Sequence, residues 1–180
     1  MAIPRYRYLY LKPQKPTGMK TSQNWLFPLL IVPLLLSCSD DDDNVSLENR
    51  AGALFGQWEY EAIDSDTAVD INEDGTVNVD LFNTNEIRQC VKDNLIFFSD
   101  NGQRERGAFS INENGLSCGE VPAFQNLEDD TYELINNEII RFENRNNWTI
   151  IEFSQNRLVV EEEDFLDEQD VVITYTLKRS

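Results

Sequence analysis

From residue 56 onward the apolar residues fall on alternate positions. Trp58, Tyr60 and Ala62 alternate with Glu59 and Glu61; Val77, Val79 and Leu81 alternate with Asn78 and Asp80; Val171, Ile173, Tyr175 and Leu177 alternate with Thr174, Thr176 and Lys178. A period of two sets one face of an extended strand against a core and the other in water, whereas a helical stripe would repeat every 3.6 residues. Segments 95–99, 107–111, 131–134, 138–142, 148–153 and 157–162 read in the same way. Turn chemistry separates most of them: Asp100-Asn101-Gly102, Asn114-Gly115, Asn136-Asn137, 144–147 and Ser154-Gln155-Asn156. These residues tolerate positive φ or bond to their own backbone. Pro122, the one proline after the leader, falls between strands, where its missing N–H does no harm.

The pattern predicts eight or nine strands with short links. Short links favour antiparallel neighbours, because a parallel crossover needs a dozen or more residues. Eight such strands suit an all-β, antiparallel up-and-down barrel, which closes on itself and leaves no unpaired edge. A ninth has to be an edge hairpin or no strand at all. Residues 46–55 predict a short N-terminal helix capped by Ser46. No internal repeat is visible.

Ahead of this body the composition changes. Residues 25–36 are an apolar run interrupted by Pro28 and Pro33, with Lys20 on its flank. A membrane-spanning helix needs about 20 apolar residues, so the run has the size of a signal-peptide core. A start at Met19 gives ordinary signal-peptide proportions, and we expect residues 1–18 to be an upstream extension without structural role. The run ends in Leu35-Leu36-Ser37-Cys38, which resembles the lipobox of bacterial lipoproteins. That resemblance implies cleavage before Cys38, acylation of its sulfur and new amino terminus, and anchoring of the chain to a lipid bilayer; palmitate is one such acyl group. A soluble secreted protein with a free Cys38 is the alternative. Ser39-Asp40-Asp41-Asp42-Asp43-Asn44 follows, a self-repelling tether. It also resembles the acidic signals that send some Gram-negative lipoproteins to the outer face of the outer membrane. The expected organisation is a signal peptide at 1–37, a tether at 38–48 and the barrel at 49–180.

Charge sharpens this picture. The whole chain has 15 Lys+Arg, 33 Asp+Glu and no histidine, a net of −18. All the acids lie after residue 37, where they face 10 basic residues, so the exported part carries −23. Such an excess speaks against nucleic acid as a partner, because phosphate binding needs a basic face. Without histidine, the usual triads and His-based metal sites are absent. Cys90 and Cys118 remain after Cys38 is lipidated, and in an exported chain they read most simply as one disulfide. The alternative, a thiol nucleophile or metal ligand, lacks a histidine base or further ligands.

Gly56-Gln57-Trp58, at the entry to the first strand, resembles the G-x-W signature of lipocalins. The order of features beyond it resembles the lipocalin-like lipoproteins of Gram-negative bacteria: Cys90, Lys92-Asp93-Asn94, Phe97, Asp100-Asn101-Gly102, Cys118, Trp148-Thr149-Ile150 and Ser154-Gln155-Asn156-Arg157-Leu158. The resemblance covers residues 54–180. It implies that Trp58 lies at the closed barrel end beneath a basic side chain, with Lys178 or Arg179 in place for a cation–π contact; otherwise Trp58 is simply core.

Two further groups bear on chemistry. Asp70, Asn72, Asp74 and Thr76 stand at alternate positions around Gly75, resembling the start of a calcium loop of the EF-hand or dockerin type. The twelfth position is Leu81 rather than Glu, so the same residues also read as an acidic turn. Glu161 to Asp164, with Asp167 and Glu168, surround the last hairpin and read as a solvated face rather than an acid–base pair. Phe97, Phe109, Trp148 and Tyr175 are candidates for the barrel interior, where they would line a cavity for a small apolar ligand or fill the space. Two functions follow. One is a non-catalytic, lipid-anchored binding protein; the other is a structural or interaction lipoprotein with a filled core. An enzyme ranks last, since no activated nucleophile is in sight. The oligomeric state is left open.

Overall fold

The computed structural model describes residues 44–103, 105–119 and 126–180. The leader, Cys38 and the aspartates of the tether fall outside them. Among the described residues there are nine strands: β1 (Gly56–Val69), β2 (Asn78–Asp80), β3 (Leu95–Gln103), β4 (Arg106–Asn112), β5 (Asn126–Ile135), β6 (Ile139–Phe142), β7 (Trp148–Phe153), β8 (Arg157–Leu166) and β9 (Gln169–Arg179). From β3 to β9 each strand pairs antiparallel with the next. β1 then closes the ring, meeting β3 from Gly56↔Phe98 to Glu59↔Leu95 and β9 from Trp58↔Arg179 to Ser65↔Ile173. The result is a closed antiparallel barrel of eight strands. The ninth, β2, is an edge strand laid on the far part of β1.

Turn chemistry sets the register. Asn136 and Asn137 both adopt positive φ (51° and 59°), as do Asp167 and Glu168 (49° and 62°). The second pair makes a two-residue link between Leu166 and Gln169, and the first, with Glu138, a three-residue link between Ile135 and Ile139, both with a backbone that matches strand twist. Asp100-Asn101-Gly102, expected as a turn, lies within β3, where the register with β4 shifts between Asp100 and Gln103. The Asp100 carboxylate accepts the Gly102 N–H and the Asn101 side chain accepts the Gln103 N–H, so these residues form a bulge before the hairpin tip.

Two other expectations are corrected. Val77 and Val79 do not enter the core; they are 56% and 51% exposed, while Leu81 is buried. Asn78 fixes this register by donating to the buried Glu86 (2.6 Å), whose other oxygen accepts the N–H groups of Ile71 and Asn72. A one-residue slip would turn every β2 side chain over. The N-terminal helix is a 3-10 turn, Leu47–Asn49, continuing into α1 (Arg50–Leu54). The Ser46 hydroxyl accepts a bond from the Asn49 side chain rather than from the helix backbone, whose Asn49 N–H goes to the Ser46 carbonyl. Contacts with the barrel begin inside the stretch expected as tether: Val45 N–H donates to Phe153 O (2.8 Å) and its side chain packs on the core.

The end of the barrel carrying α1 is closed by Trp58. Its indole N–H donates to Leu54 O (2.9 Å), and the Arg179 guanidinium lies 4.4 Å from its ring centre. Arg179 donates to the carbonyls of Phe55, Ala53 and Gln155, whereas Lys178 points outward to Glu59. Gly56 is required here, for its φ is +125° and a Cβ would stand 2.7 Å from the Arg179 guanidinium. On the barrel's side, α2 (Gln89–Lys92) carries Cys90, which is bonded to Cys118. Asp93 seconds that staple by accepting the N–H groups of Gly115 and Leu116 (2.7 and 2.8 Å).

Two predictions follow from these closures. Replacing Arg179 by Met takes the donors from two part-buried carbonyls, those of Phe55 and Ala53, and the cation from the Trp58 ring. We expect a loss of about 1–2 kcal/mol in a urea melt; a change near zero would mean that Trp58 closes the end unaided. The disulfide spans a sequence separation of 28. Its removal by the paired substitution Cys90→Ser, Cys118→Ser is expected to cost about 3–4 kcal/mol, read from the shift in denaturation midpoint at constant slope.

Candidate functional site

The interior divides at Tyr60 and Tyr175. Toward the closed end lies a cluster that includes Trp58, Ile96, Phe98, Phe109, Tyr132, Phe142 and Trp148. Toward the opposite end, which α1 does not cover and which is termed the open end, lies a smaller one of Ile63, Val69, Leu81, Val171 and Ile173. Tyr60 and Tyr175 pack on both, with ring centres 5.9 Å apart. In the larger cluster Phe109 meets Phe142 at 4.8 Å and Trp148 at 5.7 Å, and Trp148 meets Tyr175 at 5.4 Å. These rings occupy the barrel's middle edge to face, an arrangement that aromatic quadrupoles favour.

Of the four apolar candidates, Phe109 and Trp148 are fully buried in this cluster and Tyr175 stands at its border. Phe97 does not join them. It alternates with the buried Ile96 and Phe98, so it faces away from the interior and Phe98 takes its place.

Beside the rings is a polar group that the sequence reading missed. Arg145, in the loop joining β6 to β7, turns its guanidinium inward, 5.1 Å from the Phe109 and Phe142 ring centres and 4.8 Å from that of Trp148. It pairs with Glu128 at 3.3 Å and Glu162 at 3.2 Å. Glu162 is buried and also accepts the Trp148 indole N–H at 2.6 Å. The acidic run of β8 is therefore not one solvated face: strand alternation sends Glu162 inside while Glu163 stays exposed. The only trace in the sequence is that Leu158, Val160 and Glu162 share an inward register. A glutamate there needs a cation, and Arg145 supplies it.

With one guanidinium against two carboxylates, the cluster carries net negative charge. Burial pushes the Tyr60 phenol up to about 12, with Arg145 pulling it down and Glu128 and Glu162 raising it further. Burial likewise holds the Tyr175 phenol well above its ordinary value, aided by Glu162.

In the loop read as a calcium site, the side-chain oxygens face the loop's own amides. Asp70 accepts the N–H groups of Asp74 (3.0 Å) and Gly75 (2.7 Å), Asn72 that of Asp74 (2.9 Å), and Asp74 that of Thr76 (2.8 Å). The hydrogen bonds from Thr76 hold the exposed Asp74 carboxyl below the usual range. Among the described residues no group of three or more acidic or cysteine side chains is placed to hold a metal ion, and no helix is long and apolar enough to cross a membrane. A cleft of about 420 Å³ is bordered by Tyr132 and Phe142 of the ring cluster together with Arg106, Glu133 and Arg141, and clefts of about 480 and 700 Å³ lie along β8 and β9 beside Glu163 and Val172. None of these is bordered by Phe109, Trp148 or Tyr175.

No protein-family model matches the chain, and no curated protein matches it. Solved structures do. The siderocalin Ex-FABP is 14% identical, with 71% of each chain covered and a TM-score of 0.43. The bovine lipocalin allergen Bos d 2 is 14% identical over 72% of this chain and 75% of that one, at 0.45. Bovine odorant-binding protein, solved with a selenium-containing odorant, is 14% identical over 72% of each, at 0.40. The likeness is one of fold. The strand order and closure described above establish the closed, up-and-down antiparallel barrel independently of these scores.

After residue 37 the tyrosines are Tyr60, Tyr132 and Tyr175, and burial raises the pKa of all three phenols. A phenol whose folded pKa is raised contributes stability that is complete below its ordinary value of about 10 and is lost as pH rises through the folded value. Tyrosinate absorbance of the folded 38–180 chain should therefore stay flat through pH ~10–11, then rise in one step with unfolding. A gradual rise centred near pH ~10, with near-ultraviolet dichroism intact, would contradict the burial described.

Proposed function

We propose that this chain is a non-catalytic binding protein, held to an outer membrane by acyl chains on Cys38 and displayed at the cell surface, that takes a small ligand at the open end of its barrel. One observation carries the binding part: the cluster of ring faces and carboxylates in the barrel's middle is completed from the open end by a side chain from a loop, Arg145, rather than by the barrel wall. The wall alone leaves Glu128 and Glu162 facing the aromatic stack without a counter-charge, which is an unfinished core and a usable site. The non-catalytic part is supported by the arrangement of β8, whose neighbouring carboxylates alternate between interior and exterior instead of converging.

The anchoring part rests on the leader and on Ser37-Cys38. Val45 binds at the closed end, beside Phe153. Seven residues of extended chain span at most about 25 Å, so a lipid on Cys38 would hold the closed end near the bilayer and turn the open end outward.

The stack of Phe98, Phe109, Phe142 and Trp148 favours a second reading, a filled-core interaction protein that meets its partner through acidic loops. Native mass spectrometry of protein from its host separates the two. We expect a chain that begins at an acylated Cys38 and retains a small molecule. Unmodified Cys38 would end the anchoring proposal, and a bare barrel that binds nothing offered at its open end would favour the second reading.

A further inference from the structure

The loop that delivers Arg145 is moored on both sides of it. Asn144 gives its backbone N–H and its side-chain amide to Asp130 (3.0 and 3.1 Å), and Asn147 accepts the Phe142 N–H (3.2 Å). Arg145 sits between these moorings with its guanidinium against three rings and two carboxylates. Aromatic faces and acidic oxygens in that combination form a receptor for a compact organic cation. The fit of Arg145 is incomplete, for its buried Nε has no partner among the described residues, and an unmade bond of that kind weakens the inward position. Arg145 also borders a cleft of about 480 Å³ on the outer wall, together with Glu161 and Glu163. These two flank Glu162 on the opposite face of β8. A second set of carboxylates thus waits outside for the same guanidinium.

We infer that the open end binds an organic cation, an amine or guanidine with an apolar tail, and that Arg145 is its built-in competitor. The inference rests on the reading of the open end as a binding site and names the ligand class. Binding transfers the rings, Glu128 and Glu162 from Arg145 to the ligand's cationic group, while the Arg145 side chain moves to the outer cleft. Charge selects the class. An anion would enter a cluster that already carries more carboxylate than guanidinium, and a neutral ligand that displaced Arg145 would leave the buried Glu162 without a counter-charge. A cation restores the balance, and Tyr60 and Tyr175 offer its tail an apolar path toward the second cluster.

The test uses octylguanidinium, octanoate and octanol as probes on the mature chain, followed by NMR at the Trp148 indole N–H, which reports on Glu162 directly. Octylguanidinium should shift that resonance saturably, and the other two should not. Removing the competitor by Arg145→Ala should tighten octylguanidinium roughly tenfold or more, since the free site is no longer partly self-occupied, and Glu162→Gln should weaken it. Arg145→Met, which keeps bulk without charge, serves if the alanine variant fails to fold. Equal affinity in the wild type and both Arg145 variants overturns the competitor. Binding of octanoate or octanol at the same indole in place of the cation overturns the ligand class but leaves the open-end site standing. Silence of that indole toward all three probes in every variant removes both.

Discussion

The pairing of β1 with β9 is the constraint on which the rest depends. β1 is long enough to give one edge to β9 over residues 58–65 and to divide the other between β3 at its start and β2 toward its end. Once that ring is shut, each strand has a wet face and a dry face, and a side chain's position along the strand fixes which it meets. A bulge between Tyr60 and Ala62 keeps this workable on β1: it resets the alternation so that Trp58 and Ile63, an odd number of residues apart, are both buried.

A closed barrel of this width then has to dispose of whatever the alternation sends inside. At one end the inward basic residue, Arg179, is matched by backbone carbonyls and a tryptophan face. That solution is rigid, because every acceptor belongs to a loop or helix packed on the same end. At the other end the inward acids Glu128 and Glu162 are matched by a long side chain on a loop. The two guanidiniums use the same chemistry, but only the first is locked by backbone. This asymmetry distinguishes a structural cation–π contact from one that can exchange.

The sequence made the barrel legible because period two leaves no other economical reading for so many short segments, and the paired asparagines and Asp167-Glu168 supply the links. The closed end was legible too, since Gly56, Trp58 and a terminal basic residue sit at positions that only a closing strand brings together. The inward set at the open end was not. Periodicity reports apolar residues, so an inward glutamate inside an acidic run looks like more surface, and an arginine among loop asparagines looks like solubility. Phe97 illustrates the reverse error: in Ile96-Phe97-Phe98 both faces are apolar, and hydrophobicity alone cannot say which one is dry. β2 failed for a third reason, because its register is set by a hydrogen bond to Glu86 rather than by burial of its valines.

Charge at the level of the whole domain bears on the open end as well. Residues 38–180 carry −23 and surround any approaching molecule with negative potential, which raises the local concentration of cations and repels anions. Screening confines that field to about 8–10 Å at ordinary salt, so it steers arrival and does not hold a ligand. Holding depends on desolvated contacts, and Glu162, buried and bonded to Trp148, is where desolvation is most complete among the acids of β8. The same sign of charge thus serves twice, diffusely on the exterior for approach and locally beneath the ring stack for retention. Arg145 sets the threshold between them, because a cation captured by the outer field gains the inner site only when its own rings-and-carboxylate contacts exceed those that Arg145 gives up.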